Sequence, residues 1–295
     1  MTLSVQRYHF RAFIKLLIQL LNNMDKYGII GFPVKYSFSP KIHNPAFKHL
    51  ALNAEYKRYE IPPDIFTDEI LKLKKANIKG LNVTVPYKQK ILSFLDETDP
   101  LAAKVGAVNT IKKKGSKWIG YNTDLYGFLL PLRNYFDTIQ SVLVIGAGGA
   151  ANAICFALID KLKLNILDIL NRSKERAELL KEKLESHLNP EIKILSKSQN
   201  DNNLKYDLIV NTTNVGMANL KNEIPFNIQN NVHDKTIIYD LIYNPEHTLF
   251  LQAAQKLNLT TINGLDMLIG QAKKSFEIWT GQKFPDQVID RNIFY

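Results

Sequence analysis

A glycine-rich turn near the middle of the chain restricts the fold more than any other feature. The apolar run SVLVIG at 141–146 is strand-like, the stretch Gly146-Ala-Gly148-Gly-Ala-Ala151 begins at its last residue, and a helical pattern covers 150–162. A strand, a G-x-G-x-x-[G/A] turn and a helix in this order form the dinucleotide-binding unit of a doubly wound α/β domain. The first glycine permits the tight turn, the second lets backbone approach a pyrophosphate, and Ala151 allows close helix–strand packing.

Strand-like and helical runs also alternate through the rest of the chain. After the turn, the pattern predicts strands at 164–170, 207–211, 237–241 and near Thr261, with a helix at 174–187. Before it, strands are predicted at 27–31, 56–60 and 80–85 and in a hairpin of 108–112 with 117–121, and the tail 265–279 has a helical pattern that could pack back onto the first domain. Both halves therefore have an α/β pattern, and the second half has the βαβ ladder of a doubly wound domain.

Composition argues against several classes of protein. The 295 residues are 45% apolar, enough for one large or two ordinary domains. The net charge of +10 comes from scattered lysines, which favours a solvated surface over nucleic-acid binding. Cys155 is the only cysteine and the six histidines lack ligand spacing, so we predict no metal and no intrachain disulfide. A reducing cytoplasm fits this cysteine usage best.

Residues 1–26 are predicted to be an N-terminal extension. The run FRAFIKLLIQLL at 10–21 is apolar but is interrupted by Arg11, Lys15 and Gln19, so it is too short and too charged to cross a membrane. Its lack of acidic residues is typical of organellar transit peptides, whereas its poverty in serine is not. A functional start at Met24, or a loosely docked amphipathic helix, is the favoured interpretation.

The end of the strand after the glycine turn indicates which dinucleotide binds. An acidic residue there would accept hydrogen bonds from the ribose 2′-hydroxyl of NAD, but this chain has Asn171-Arg172-Ser173-Lys174, with Arg176 following. The two arginines can bracket a 2′-phosphate, and Ser173 can both cap the helix and donate to the phosphate. Because the helix dipole disfavours cations at this end, a bound phosphate gives the arginines a reason to be there. NADP is therefore predicted over NAD.

A second group of polar residues lies upstream of the nucleotide turn. The segment Asn82-Val-Thr-Val-Pro-Tyr-Lys88 and the triplet Asn122-Thr-Asp124 each place one ionisable group beside amide and hydroxyl side chains. Hydride reduction of a ketone leaves an alkoxide, and a cationic Lys88 within hydrogen-bond reach could stabilise and then protonate it. A lysine–aspartate ion pair without catalytic duty is the alternative interpretation, but such a pair would not need the surrounding amides and hydroxyls.

Taken together, these motifs resemble the shikimate dehydrogenase family from Tyr27 to about Gly281. The matching motifs, in chain order, are Gly31-Phe-Pro33, Ser37-Phe-Ser39-Pro-Lys-Ile-His43-Asn44, GLNVTVPYK at 80–88, GAVNT at 106–110, GYNTD at 120–124, GAGGA at 146–150, NRSKER at 171–176, YDLIYNP at 239–245 and NGLDMLIGQA at 263–272. Members of this family reduce 3-dehydroshikimate to shikimate with NADPH in aromatic biosynthesis. So many motifs in one order make the resemblance specific.

The resemblance implies a role for each matching residue. Lys88 and Asp124 would be catalytic. Substrate would be bound by Ser37 and Ser39 at its carboxylate, by Asn82, Thr84, Asn109 and Gln271 at its ring hydroxyls, and by Tyr243 at the carboxylate end. NADP would be bound by Gly146, Ala147, Gly148, Gly149, Ala150, Asn171, Arg172, Ser173, Lys174 and Arg176, with Leu241, Gly264 and Met267 near the nicotinamide.

The same resemblance implies a two-domain architecture. We predict an N-terminal open α/β substrate domain at 27–124 plus 265–295, a C-terminal Rossmann NADP-binding domain at 125–264, and an active site in the interdomain cleft. The family also suggests a monomer or homodimer that binds a small-molecule substrate, with no nucleic-acid or membrane partner. Three alternatives stay open: a quinate/shikimate dehydrogenase using NAD, another lysine-dependent Rossmann oxidoreductase such as a methylene-tetrahydrofolate dehydrogenase, and a catalytically inactive nucleotide-binding module.

Overall fold

The computed structural model describes residues 24–185, 191–195 and 204–294, and the chain divides into two compact units. The first unit contains the described residues up to Thr98, together with Val108–Tyr121 and Phe276–Ile289. The second contains Asp99–Ala107, Asn122–Ser275 and the residues from Asp290 onward. The apolar run at 10–21, for which an amphipathic helix was one of two favoured interpretations, lies outside the described residues.

The first unit is built on a six-stranded mixed sheet. Its elements are β1 (Asp25–Gly31), α1 (Ser39–His49), β2 (Ala54–Glu60), α2 (Phe66–Lys75), β3 (Ile78–Val83), β4 (Glu97–Thr98), β5 (Thr110–Lys114) and β6 (Lys117–Tyr121). The strand order is β2-β1-β3-β5-β6-β4, with β1 parallel to β2 and β3, and with β5 antiparallel to β3 and β6. The predicted strands and the predicted hairpin are confirmed, whereas the two-residue strand β4 was not predicted.

The last turns of α8 (Leu265–Thr280) belong to this first unit. Trp279 is buried, and its indole N–H donates to the Ile111 carbonyl at 2.9 Å. A Cβ at Gly80 would lie 2.4 Å from the Trp279 ring, so the glycine of β3 makes room for the indole. The residues of α8 from Phe276 onward thus belong to the first unit, whereas Leu265–Ser275 belong to the second.

An aromatic cluster with a buried histidine at its centre fills one side of this unit. His43 is fully buried on α1 and stacks on the Tyr56 ring at a centroid distance of 4.5 Å, with Phe47, Phe276 and Trp279 around it. Neither ring nitrogen has a hydrogen-bond partner among the described residues. Burial lowers the pKa of His43 to about 3, because a charged imidazole would lose its hydration there. The ring is therefore neutral at physiological pH.

We expect His43 to make the first unit acid-sensitive. The folded pKa lies below the ordinary value of 6.5, so the stability due to the neutral ring is complete above pH 6.5 and is lost as pH falls toward about 3. The slope is about 1.4 kcal/mol per pH unit within that window. His43→Phe should flatten the dependence of urea stability on pH between 6.5 and 4.5. Trp118 and Trp279, the only tryptophans, are both buried in this unit, so fluorescence reports its unfolding.

His49→Phe is the matched control, because His49 is an exposed side chain on the same helix. Its replacement should leave the pH slope unchanged. Equal slopes in wild type and His43→Phe would contradict the assignment of this acid sensitivity to His43.

The second unit carries a six-stranded, wholly parallel sheet. Its elements are α3 (Pro100–Val105), α4 (Asp124–Leu129), β7 (Ser141–Ile145), α5 (Gly149–Lys161), β8 (Ile166–Leu170), α6 (Lys174–Glu185), β9 (Glu191–Leu195), β10 (Tyr206–Asn211), β11 (Val232–Asp240), α7 (Leu249–Lys256), β12 (Thr260–Ile262) and the first part of α8. The strand order is β12-β11-β10-β7-β8-β9. This is the Rossmann order, with its topological switch point between β7 and β10.

Both faces of this sheet are buried, as expected for parallel strands. Alternate residues of β7 point to opposite faces: Val142 and Val144 join the cluster that contains α5, whereas Leu143 and Ile145 join the cluster that contains α7. The predicted Rossmann domain is confirmed, with strand ends within a few residues of prediction except for the earlier start of β11. Edge strand β9 was not predicted, and the predicted end of α6 at 187 lies outside the described residues. No helix among the described residues is long and apolar enough to cross a membrane.

Candidate active site

The glycine turn after β7 has the geometry that its sequence predicts. Gly146 has φ +114°, a conformation that favours glycine, and its N–H donates to the Leu170 carbonyl at 2.8 Å. A Cβ there would lie 2.4 Å from Thr212 Oγ1, which itself donates to the Ile145 carbonyl at 2.7 Å. The turn is therefore tied to the end of β10, on the other side of the switch point, and a side chain at Gly146 would disrupt it.

The next two glycines border open space. Gly148 and Gly149 are exposed, and a Cβ at either position would meet nothing within 4 Å. Helix α5 begins at Gly149, so its first N–H groups are available for an anion at the carboxyl edge of the sheet. Ala147 and Ala150 complete the turn. These features fit the pyrophosphate of a dinucleotide.

Gly148→Ala should test this cradle without disturbing the fold. The backbone of Gly148 (φ −92°, ψ −170°) suits alanine, so thermal stability should stay at the wild-type value. The methyl group would take up space that the pyrophosphate needs, and we expect NADPH affinity to fall by roughly tenfold, about 1.4 kcal/mol. Fluorescence titration with NADPH measures the loss. Unchanged affinity would contradict placement of the pyrophosphate at this turn.

The residues predicted to select the nucleotide lie together after β8. Asn171 Nδ2 donates to the Ser173 carbonyl at 2.7 Å, and the Arg176 N–H donates to Ser173 Oγ at 3.4 Å, so Ser173 caps α6 as predicted. Arg172, Lys174 and Arg176 are exposed. The Ser173 hydroxyl donates to Glu175 at 2.8 Å, which the sequence did not reveal. A phosphate contact from Ser173 would have to replace that bond.

A buried carboxylate supports the ends of β10 and β11. Asp240 is fully buried; its Oδ1 accepts from Asn211 Nδ2 at 3.0 Å and from the Ile242 N–H at 3.1 Å, and its Oδ2 accepts from Thr248 Oγ1 at 2.7 Å. Burial raises the pKa of Asp240, while these donors oppose the rise. The sequence analysis missed this group, although an aspartate directly after the apolar run at 237–239 was a usable signal.

The residues predicted near the nicotinamide lie directly after β11 and at the start of α8. A Cβ at Gly264 would lie 1.9 Å from the Leu241 carbonyl oxygen, and the Gly264 N–H donates to the Ile242 carbonyl at 3.1 Å. Glycine at 264 thus lets the chain entering α8 pass close to the end of β11. Met267, in the first turn of α8, packs against the core. Leu241 and Gly264 are therefore neighbours.

The two serines of the first unit form one hydroxyl pair at the start of α1. The Ser39 N–H donates to Ser37 Oγ at 3.3 Å, and the two Oγ atoms are 3.2 Å apart. Phe38 occupies the N-cap of α1, and Ser37 Oγ accepts from the first helical amide. Arg58 donates to the Ser37 carbonyl at 2.6 and 3.0 Å, which fixes this loop. Two hydroxyls at a helix N-terminus suit a carboxylate.

The asparagines predicted to bind the ring hydroxyls are joined by hydrogen bonds. Asn82 Oδ1 accepts from the Tyr56 hydroxyl at 2.7 Å, while Asn82 Nδ2 donates to the Asn109 carbonyl at 3.2 Å and to Thr110 Oγ1 at 3.1 Å. Thr110 Oγ1 donates to Asn109 Oδ1 at 3.1 Å. All four residues are buried. Tyr56 and Thr110 were not among the predicted site residues.

Lys88 follows the turn at the end of β3. The Thr84 N–H donates to the Ile30 carbonyl at 2.9 Å, the Tyr87 N–H donates to the Thr84 carbonyl at 2.9 Å, and the Val108 N–H donates to the Lys88 carbonyl at 2.8 Å. Buried Tyr87 anchors the turn through its hydroxyl, which donates to the Ile61 carbonyl. The backbone of Lys88 is thus held on both sides, and its side chain is half-buried.

In the second unit, Asp124 and Gln271 are carried by two helices in close contact. Gly127 of α4 and Gly270 of α8 allow this approach: a Cβ at Gly127 would lie 2.4 Å from the Met267 carbonyl oxygen. Asp124 begins α4, and its N–H donates to Asn122 Oδ1 at 3.2 Å. Gln271 Nε2 donates to the Leu268 carbonyl at 2.9 Å. Tyr243 is half-buried, and burial raises the pKa of its hydroxyl.

The structure thus brings the predicted residues together in groups within each unit. Ser37, Ser39, Asn82, Thr84, Lys88 and Asn109 lie in the first unit, and the glycine turn, the Asn171–Arg176 group, Asp124, Leu241, Tyr243, Gly264, Met267 and Gln271 lie in the second. Among the described residues, no group of three or more His, Cys, Asp or Glu side chains could hold a metal ion.

The chain is similar to known proteins along most of its length. Family models match at 29–111 (Shikimate dehydrogenase substrate binding domain), 133–266 (Shikimate / quinate 5-dehydrogenase) and 264–291 (Shikimate 5'-dehydrogenase C-terminal domain). The chain is 42% identical over 277 residues to the shikimate dehydrogenase (NADP(+)) of Methanococcus aeolicus, covering 92% of this chain and 98% of the relative.

Solved structures are similar across both units. A crystal structure of a shikimate dehydrogenase in complex with NADP+ has a TM-score of 0.82 and 38% identity, covering 90% of this chain and 93% of its own. A shikimate 5-dehydrogenase from Thermus thermophilus, in complex with NADP(H) and shikimate, has a TM-score of 0.79 and 30% identity, covering 90% and 97%. With this similarity along nearly the whole chain, added to the Rossmann turn and the polar groups described above, the protein belongs to the shikimate dehydrogenase family.

Proposed function

We propose that the protein is an NADP-dependent oxidoreductase that reversibly reduces 3-dehydroshikimate to shikimate, a step toward chorismate and the aromatic amino acids. The observation that carries the proposal is the joint presence of the nucleotide turn at Gly146 and the Asn82-to-Lys88 segment in a chain of this family. The chain covers 98% of the Methanococcus aeolicus relative, so no large part of that protein lacks a counterpart here.

The chain's own residues supply binding and proton transfer. NADPH, when bound, supplies the hydride. The Lys88 ammonium would donate a proton to the carbonyl oxygen of the substrate as that oxygen gains negative charge, and the neutral amine would accept the hydroxyl proton in the reverse direction. Asp124 is the second proposed catalytic residue, a carboxylate that would hold a substrate hydroxyl. The backbone bonds on both sides of Lys88 support this role, because proton transfer needs a fixed donor.

The binding roles are assigned by chemistry. Ser37 and Ser39 offer two hydroxyls to the substrate carboxylate, with Tyr243 at the same end. Asn82, Thr84, Asn109 and Gln271 would bind the ring hydroxyls, since amides and hydroxyls pair with alcohols in either direction. Gly146, Ala147, Gly148, Gly149 and Ala150 would hold the pyrophosphate of NADP. Asn171, Arg172, Ser173, Lys174 and Arg176 would hold its 2′-phosphate, and Leu241, Gly264 and Met267 would line the nicotinamide.

The first test is absorbance of reduced nicotinamide with purified protein and shikimate or quinate, each with NADP or NAD. We expect turnover largely confined to shikimate with NADP. Comparable turnover of quinate with NAD would instead assign the protein to the quinate/shikimate group. No turnover with any pair would reject the enzyme assignment and favour a nucleotide-binding module.

We further propose a cytoplasmic enzyme that acts as a monomer or homodimer on a small molecule, without nucleic-acid or membrane partners. The single cysteine, Cys155, is buried and needs no oxidising compartment. Sedimentation of the purified protein gives its oligomeric state directly.

A further inference from the structure

The buried hydrogen bonds around Asn82 have a direction that can be read from one backbone atom. The Asn109 carbonyl oxygen can only accept, so the Asn82 atom beside it, at 3.2 Å, must be the amide nitrogen. The other amide hydrogen reaches Thr110 Oγ1 at 3.1 Å. Asn82 Oδ1 consequently faces Tyr56, whose hydroxyl must donate to it at 2.7 Å.

The same reasoning extends the series beyond Asn82. Thr110 accepts from Asn82 and donates its own proton to Asn109 Oδ1 at 3.1 Å. Four side chains therefore form one directed series: Tyr56, Asn82, Thr110 and Asn109.

We infer that Tyr56 and Thr110 are positioning residues that fix which atoms Asn82 and Asn109 present to the substrate. Both amide hydrogens of Asn82 are used within the protein, so Asn82 can only accept from a substrate hydroxyl, through Oδ1. Thr110 holds Asn109 Oδ1, which leaves Nδ2 as the Asn109 group that donates. The inference rests on the proposed function, because it assigns these two amides to the substrate.

Burial explains why the arrangement persists. Thr110 is fully buried and Tyr56 is 2% exposed, so water cannot replace a lost partner at either position without rearrangement. The Tyr56 ring is also held by stacking on His43 at 4.5 Å. Neither residue needs to touch the substrate for its loss to change substrate binding.

Thr110→Val and Thr110→Ser form the primary test. Valine removes the hydroxyl that joins the two amides, so the side-chain amide of Asn109 can flip and exchange its oxygen and nitrogen. We therefore expect KM for shikimate to rise by about five- to tenfold. In the same variant, kcat should change by less than about twofold and KM for NADP should not move. Serine keeps the hydroxyl and should restore the wild-type KM. Equal effects of valine and serine, or no effect of valine, would overturn the inference.

Tyr56→Phe and Tyr206→Phe form a second pair that does not depend on Thr110. Each removes one buried phenol hydroxyl, but the Tyr206 hydroxyl lies in the second unit and donates to Asp168 at 2.6 Å. Both variants should lose similar stability, whereas only Tyr56→Phe should raise KM for shikimate. Matching KM values in the two variants would reject a positioning role for Tyr56. A wild-type protein without shikimate turnover would reject the proposed function instead, so the two failures are distinct.

Discussion

Lys88→Met should lower kcat for shikimate oxidation by about 10²- to 10⁴-fold, the usual contribution of a positioned general acid–base group. Methionine keeps much of the length of the lysine stem, so the substrate-binding surface should change little. The loss should therefore fall on kcat, with KM for NADP at the wild-type value. Steady-state kinetics with shikimate and NADP provides the measurement.

Lys90→Met is the matched control for charge. Lys90 lies two residues later, is exposed, and has its ammonium 4.7 Å from the centroid of the Phe66 ring. The Lys90→Met substitution removes the same charge from the same segment. It should leave kcat within about twofold of wild type, because Lys90 has no proposed role in proton transfer. If Lys88→Met also retained wild-type kcat, the proton-transfer proposal would be wrong.

Asp124→Asn belongs to the same test. The amide keeps the size of the side chain and can still begin α4, but it removes the negative charge. We expect a loss in kcat/KM for shikimate on the order of 10²-fold, within the range for acid–base groups. A drop in thermal stability without a drop in turnover would instead make Asp124 a structural residue of α4.

Replacing both Arg172 and Arg176 with alanine should raise KM for NADP by about 10- to 100-fold, since each replacement would remove a charge-assisted hydrogen bond to the 2′-phosphate. KM for NAD should stay nearly constant, because NAD lacks that phosphate. The ratio of kcat/KM for the two nucleotides is the decisive measurement. Because both arginine side chains are exposed, added salt should reduce the difference in KM for NADP between the wild type and the double variant.

Lys181→Ala separates this effect from a general loss of positive charge. Lys181 lies on α6, the helix that carries Arg176, and its ammonium pairs with Glu185 at 3.5 Å. Its replacement should not change nucleotide preference. Equal losses with NADP and NAD in the double arginine variant would show that the arginines do not recognise the 2′-phosphate.

The hydrogen bond between Ser173 and Glu175 also bears on how the two arginines bind the 2′-phosphate. Glu175 accepts from Ser173, and its pKa is lowered by hydrogen bonds from its own backbone N–H and from Ser173. A carboxylate in the first turn of α6 interacts favourably with the helix dipole, but it repels a bound phosphate. Arg172 and Arg176 must offset that repulsion, which is a further reason to expect a large effect from their removal.

Local sequence was enough to predict most of the Rossmann unit. The run SVLVIG, the glycine turn and the following helix depend on short-range causes: apolar residues on both strand faces, backbone freedom at Gly146, and small residues where helix and strand approach. Strand β9 was missed because the alternation in EIKIL is short and weak at a sheet edge. Two-residue β4 forms only because β6 lies beside it.

The sequence by itself determined the fold class, the family and which residue types are present for the chemistry, because motifs of this kind are contiguous in the chain. Only the tertiary structure decided how distant polar groups share their hydrogen bonds. Tyr56 and Thr110 reach Asn82 from positions 26 and 28 residues away, and Asp240 reaches Asn211 across 29 residues. Such bonds form because burial removes water from each polar group, so that the groups can bond only with one another. No local sequence pattern encodes that pairing.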